Sequence, residues 1–357
     1  MSNDSFTLPA MSTTRTAHAR RATRSWTRMS DEQLLGLRFC DLKLKIERSP
    51  LAKRVKRLYR ELDKREIGFR PHVWLSEEWF SPDGVPGIAV PFYLAHPRLE
   101  RLERRMMRNV EGGSAESAMR ILRHEAGHAI DTAYRLRRRK RWREVFGPAS
   151  LPYPDSYRAR PGSRRYVQHL GEWYAQAHPC EDFAETFAVW LKPNSSWRRT
   201  YAQWPAFHKL EVVDEMLDEV RGTRAPVRNR EVVEPLRENT RTLADHYRAK
   251  LKRFSLYRRT VTDHLLERVF TAEKKARARR ASTFLRAHSL HLVNATLREL
   301  DAERYSVEQI LRIAVERAEK LGLWVRGSRR DALRHARWML VHLTRLYAQG
   351  ESPRLSL

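Results

Sequence analysis

The sequence predicts an α+β chain that is mostly helical, with one small antiparallel sheet in its first third and a basic, all-helical C-terminal region. Three observations carry this expectation. Apolar residues recur at helical spacing through most of the 357 residues. One stretch, His72 to His96, alternates instead, with Val73 and Leu75 before the turn signal Ser81-Pro82-Asp83-Gly84 and Ile88, Val90 and Phe92 after it. From Gln203 onward the helical pattern is nearly continuous, and Arg and Lys crowd its polar positions.

Taken in order, residues 1–29 are rich in Ser, Thr and Arg and read as a mobile basic tail. Ser30, with Gln33 three residues on, makes a capping box, and a helix is expected from there to about Asp63. The alternating stretch reads as scaffold or as a cleft wall whose edge strand pairs with extended peptide. A long helix is expected from about Ala115 to Arg138, with Met119, Leu122, Ala126 and Ile130 on its apolar positions. Residues 144–165 carry four prolines and read as a long connection of the functional kind. Pro179 opens a second helix at its first turn and Pro193 closes it. Further on, Ser306 and Gln309 read as a capping box, with Gly322 and Gly327 as punctuation. These signals divide the chain into the tail, a domain over residues 30–200 and a basic helical region over residues 201–357.

Composition narrows the class. At 41% hydrophobic residues the chain can bury a sizeable core, which excludes wholesale disorder. No run of about 18 apolar residues is present, so no membrane span is expected. Two cysteines, Cys40 and Cys180, do not make a disulfide framework, and a reducing, cytoplasmic setting is expected. The net charge of +27 and pI near 10.7 invite an acidic partner or nucleic acid. The basic runs Arg135–Arg143 and Lys274–Arg280 are equally well read as solvated helix faces.

The chemistry concentrates in residues 124–128, His-Glu-Ala-Gly-His. On a helix, positions i and i+4 share a face, so His124 and His128 can meet one zinc ion, with Glu125 near the water on that ion. Zinc lowers the pKa of such a water and the carboxylate accepts its proton. A helix can also display two histidines by chance, so the context matters. A catalytic zinc needs a third protein ligand and an open fourth place. Residues 179–187, Pro-Cys-Glu-Asp-Phe-Ala-Glu-Thr-Phe, put Glu181 and Glu185 on one face of the second helix. One carboxylate can bind metal while the other orients an imidazole. Acidic residues in a first turn also offset the helix dipole, which accounts for Glu181 and Asp182 but not for Glu185.

His124–Asp131 and Glu181–Glu185 resemble the motifs of gluzincin metallopeptidases. They are most similar to a bacterial group of zinc-binding metallopeptidases and more remotely to the catalytic domain of anthrax lethal factor. The stretch Trp74–Leu99 is similar to the bacterial group too, so the resemblance covers about residues 70–192. It implies a zincin-like catalytic domain, one Zn2+ held by His124, His128 and Glu181, Glu125 as general base, and peptide or protein substrates. It also implies Glu185 as support for a ligand and Tyr174, seven residues before Glu181, as an oxyanion donor. Asp131, three residues after His128, can support a ligand or pair with a nearby charge. His169 and His178 are expected on the surface or in loops, with His178 a candidate to assist the transition state. The rival reading is a noncatalytic nucleic-acid-binding or scaffold protein with a structural zinc, whose closed site would recruit Cys180 as fourth ligand.

Overall fold

The computed structural model describes residues 26–107, 110–154, 156–160, 162–171, 173–257, 261–274, 278–300, 302, 304–348 and 354–356. Most of the expected basic tail therefore lies outside the described residues, as does the middle of the Lys274–Arg280 run. Trp26, within the stretch assigned to the tail, is buried in the core.

Ser30 forms the expected capping box. Its hydroxyl accepts the Gln33 N–H at 3.3 Å, and Gln33 Oε1 accepts the Ser30 N–H at 3.1 Å. The helix it starts, α1 (Asp31–Leu35), ends at Gly36 instead of running on to Asp63. Tertiary pairing takes over the backbone there: Phe39 N–H donates to Arg241 O and Cys40 N–H to Asn239 O. The second helix, α2 (Leu51–Asp63), begins only after Pro50.

The small sheet is parallel, not antiparallel. Strand β1 (His72–Ser76) pairs in parallel with β2 (Gly87–Pro91), Trp74 opposite Ala89. The Ser81–Gly84 turn does reverse the chain, but what it reverses is Phe80, which bridges Ala89 in antiparallel sense. A further reversal between Ser76 and Phe80 leaves β1 and β2 running the same way. Ala89 is thus bridged on both sides. Along β1, the Trp74 indole N–H donates to Val233 O and the Ser76 hydroxyl to Glu234 O. Residues 231–234 thus lie over the face of β1 that His72, Trp74 and Ser76 share.

Helix α3 (Pro97–Met107) leads to α4 (Ala115–Tyr134), which is capped by Ser114 and buried on nearly every side. A helix surrounded by protein needs partners for its charges. Arg123 makes a two-pronged bond to Glu61 of α2 at 2.7 and 2.8 Å, both side chains being buried. Helix α4 stops at Arg135, in left-handed conformation (φ 54°), short of the expected Arg138. A 3₁₀ turn and α5 (Lys140–Phe146) follow. In the long connection, β3 (Ser156–Arg158) pairs antiparallel with β4 (Arg354–Ser356). Helix α6 (Pro179–Leu191) crosses α4, and α7 (Trp197–Thr200), α8 (Ala206–Asp218) and α9 (Leu243–Tyr257) complete this part of the molecule.

Helices α10 (Val261–Val269), α11 (Ala281–Ala287), α12 (Ser289–Leu297), α13 (Arg304–Lys320) and α14 (Arg329–Ala348) follow. Ser306 lies inside α13 rather than capping it, since the helix starts at Arg304. The fold is mostly helical with small two-stranded sheets, as α+β requires. Its buried apolar residues gather in one core from Trp26 to Tyr247, a second from Leu266 to Leu343, and a small third that joins Tyr157, Ala159, Trp173 and Ala177 to Ile313. Among the described residues no helix is long and apolar enough to cross a membrane.

Candidate metal centre

The site is made where α4 and α6 cross. Gly127 permits the approach: a Cβ there would stand 2.9 Å from Ala184 Cα and 3.2 Å from Phe187 Cδ1. The residue between the two histidines thus brings α6 close enough for its acidic first turn to reach them. Phe183 and Phe187, fully buried, fill the crossing on either side.

His124 Nε2 lies 3.0 Å from Glu181 Oε2, His128 Nε2 lies 3.3 Å from the same oxygen, and the two imidazole nitrogens are 3.2 Å apart. Bonds of about 2.0–2.1 Å at tetrahedral angles separate ligand atoms by about 3.3 Å. The triangle therefore fits one face of a tetrahedron around a zinc-sized ion. Among the described residues this is the one such cluster of His, Cys, Asp or Glu donors. Burial opposes a charged His124, but Glu181 and Glu185 against its two nitrogens keep its pKa well above the usual value. Burial likewise opposes a charged Glu181, and His128 and His124 outweigh it and hold that carboxyl well below its usual range. A metal binds the neutral imidazole, so binding here competes with protons.

A second layer orients the donors. His124 Nδ1 donates to Glu185 Oε1 at 2.9 Å, which directs Nε2 at the cluster. Glu185 Oε2 accepts the Leu170 N–H at 2.8 Å, so the long connection fixes the carboxylate that fixes the imidazole. His178 is the N-cap of α6: its Nδ1 accepts the Cys180 N–H at 3.1 Å and its Nε2 donates to Leu151 O at 2.9 Å. With both nitrogens engaged it has no spare donor for a transition state. His169 is buried rather than superficial; it donates to Arg120 O at 2.9 Å, and burial pushes its pKa down to about 4.

Glu125 is buried at the same level of α4, and its carbonyl oxygen accepts the Ser81 hydroxyl at 3.1 Å. The loop after β1 thus lies against the helix beside the site. Tyr174, behind a left-handed Trp173 (φ 53°), stands with its ring 5.5 Å from that of His124. Burial, then Glu181 and Glu125, raise its pKa far above the tyrosine norm, so the phenol keeps its proton. Asp131 takes its hydrogen bonds from the backbone N–H and side chain of Arg137, which also reaches Asp83. It pairs with a charge rather than being brought to either imidazole. Asp182 faces away from the cluster and accepts from Lys209 Nζ at 2.5 Å. Burial raises the Cys180 thiol to about 11, and its sulfur is not among the converging donor atoms.

Sequence reasoning missed Tyr153, Leu170 and the packing role of Gly127. Tyr153 donates to Glu181 Oε1 at 3.0 Å from within the proline-rich connection. No periodicity marks it; the only signal was the unusual length of that segment.

Residues 100–204 match the model of a family described as "Putative zinc-binding metallo-peptidase", a span that contains every residue of the cluster and of its supports from α4 to α6. No curated protein and no solved structure matches the chain.

Proposed function

We propose that the chain is a mononuclear zinc peptidase of the gluzincin type, with His124, His128 and Glu181 as metal ligands. The observation that carries this reading is the triangle of three donor atoms, 3.0 to 3.3 Å on its edges, inside a segment similar to zinc-binding metallopeptidases. Held by these three residues, a zinc ion would supply Lewis acidity to a carbonyl and to a water. Glu125, one residue after His124, offers the carboxylate that takes the proton from the attacking water and passes it to the leaving amine. Tyr174, kept protonated, offers its O–H to the developing oxyanion. Glu185 and Leu170 hold His124 in the tautomer whose Nε2 is free. Asp131 acts at one remove, tying Arg137 and the Ser81–Gly84 turn to the end of the active helix.

The substrate class is peptide or protein, and the net charge of +27 favours acidic ones through steering. The catalytic unit takes in residues 30–200 together with α8 and the start of α9, where Leu243 and Tyr247 belong to the same core. The helices from α10 onward make the basic C-terminal region. Both cysteines are unpaired, which suits a reducing, cytoplasmic compartment.

Two linked measurements test the reading. Protein purified without chelator should carry about one zinc per chain. Glu125→Gln should keep that zinc and lose hydrolysis of a peptide library by about 10²–10⁴-fold. Protein that neither carries nor takes up a transition metal would sink the site, and full activity in Glu125→Gln would move the base elsewhere.

A further inference from the structure

Tyr153 is half exposed, at 52%, so burial is not what holds it in place. Directed contacts do, to His178, Glu181 and Cys180. Its ring lies flat on His178, centroids 3.9 Å apart and planes at 19°. Its hydroxyl donates to Glu181 Oε1 at 3.0 Å. The surface under the ring is rigid, because His178 is tied through Nδ1 to the start of α6 and through Nε2 to Leu151, two residues before Tyr153. Loop, cap and carboxylate thus form a closed circuit: Leu151 to His178, His178 to Tyr153, Tyr153 to Glu181.

The circuit makes the two oxygens of Glu181 unequal. Oε2 lies 3.0 and 3.3 Å from the two imidazole nitrogens, whereas Oε1 is occupied by the phenol. A carboxylate with one oxygen engaged by an O–H offers the other as its donor. A carboxylate with both free can close on a metal as a chelate, adding a ligand and filling the place that a catalytic site keeps for water or substrate. Tyr153 is the group that stands between those two modes.

We propose that Tyr153 is a positioning residue of the metal centre, which holds Glu181 as a one-oxygen ligand and thereby keeps a coordination place open. The inference rests on the reading of His124, His128 and Glu181 as a metal site. It concerns the connection over residues 147–154, not the helices, and gives that segment a role at the site.

The test uses the full chain with Tyr153→Phe, which keeps the ring stack and removes only the hydroxyl. Wild type and variant are stripped of metal and loaded with cobalt(II), whose visible d–d absorption is strong with four ligands and weak with five. In parallel, zinc affinity is measured by competition with a chromophoric chelator. The expected result is a weakened cobalt band in Tyr153→Phe, with zinc still bound and with unchanged thermal melting of the metal-free protein. A cobalt band of wild-type intensity in the variant overturns the proposal, whatever the affinity does. Wild type that takes up neither metal overturns both this inference and the metal site it rests on, so the two failures are told apart by the wild-type arm alone.

Discussion

Helices α4 and α6 and helices α10–α14 treat charge in opposite ways. The first pair buries Arg123, His124, Glu125, Asp131, Glu181, Asp182 and Glu185 within about two turns of one crossing. The second group has one buried charged residue among those described, Asp263, which meets Arg317. Its other ion pairs, such as Arg286–Glu319 and Arg334–Asp331, stand in solvent. Burying a charge costs several kcal/mol unless partners compensate. Where a fold accepts that cost repeatedly in one place, chemistry is the economical explanation. Where it keeps charges outside, solubility and surface are enough. The net positive charge of the whole chain is therefore a poor guide to its site.

The comparison can be broken most easily through two matched arginines. Arg123→Ala removes the buried partner of Glu61 and should cost about 3–5 kcal/mol in chemical denaturation, toward the low end because Arg57 also reaches Glu61 at 3.0 Å. Its counterpart is the exposed Arg286, whose replacement by Ala should cost no more than about 0.5 kcal/mol. Equal costs would mean that burial is not what separates the two regions.

A smaller effect sharpens the roles within α6. Glu181→Ala should abolish a direct metal bond, while Glu185→Ala should leave three donors and loosen His124, weakening zinc by roughly 10–100-fold. Competitive zinc titration decides between them; a greater loss in Glu185→Ala would exchange the two assignments.

The smallest effect is a pH dependence. Burial lowers the His169 pKa to about 4, against about 6.5 in an unfolded chain. A base whose folded pKa is depressed contributes stability that is complete above the unfolded value and drains away as pH falls below it. The loss from this group between pH 8 and pH 6 should be about 0.8 kcal/mol. His169→Gln, which can still donate to Arg120 O, should lose less over the same range. An identical slope in wild type and variant would assign the acid sensitivity to other groups.

Most of the α4–α6 crossing was legible in the sequence because helices convert spacing into direction. His124 and His128, or Glu181 and Glu185, need only the i, i+4 rule to be placed on one face. Spacing left open which glutamate would orient an imidazole; that Glu185 does so was implied by the resemblance and is seen in its bond to His124. The sheet was legible as alternation but not as pairing, since alternation gives a strand and says nothing of its neighbour's direction. Only the hidden reversal between Ser76 and Phe80 made it parallel. The early helix failed at Gly36 because residues more than 200 positions away, Asn239 and Arg241, claim its backbone. The contacts of Tyr153 and Leu170 were not legible at all. Both lie in irregular chain, where no period ties a residue's number to where it points.

Gly127 carries a lesson for anyone transplanting this site. The motif is usually written with two unspecified positions between the histidines, as though any residue served. Here the second of them faces Ala184 with no room for a methyl group. Grafting the histidines and Glu181 onto a helix pair held apart by ordinary side chains would reproduce every ligand and leave the carboxylate short of its target. The smallest residue in the motif acts as its ruler, and a design that ignores it would copy the chemistry without the distance.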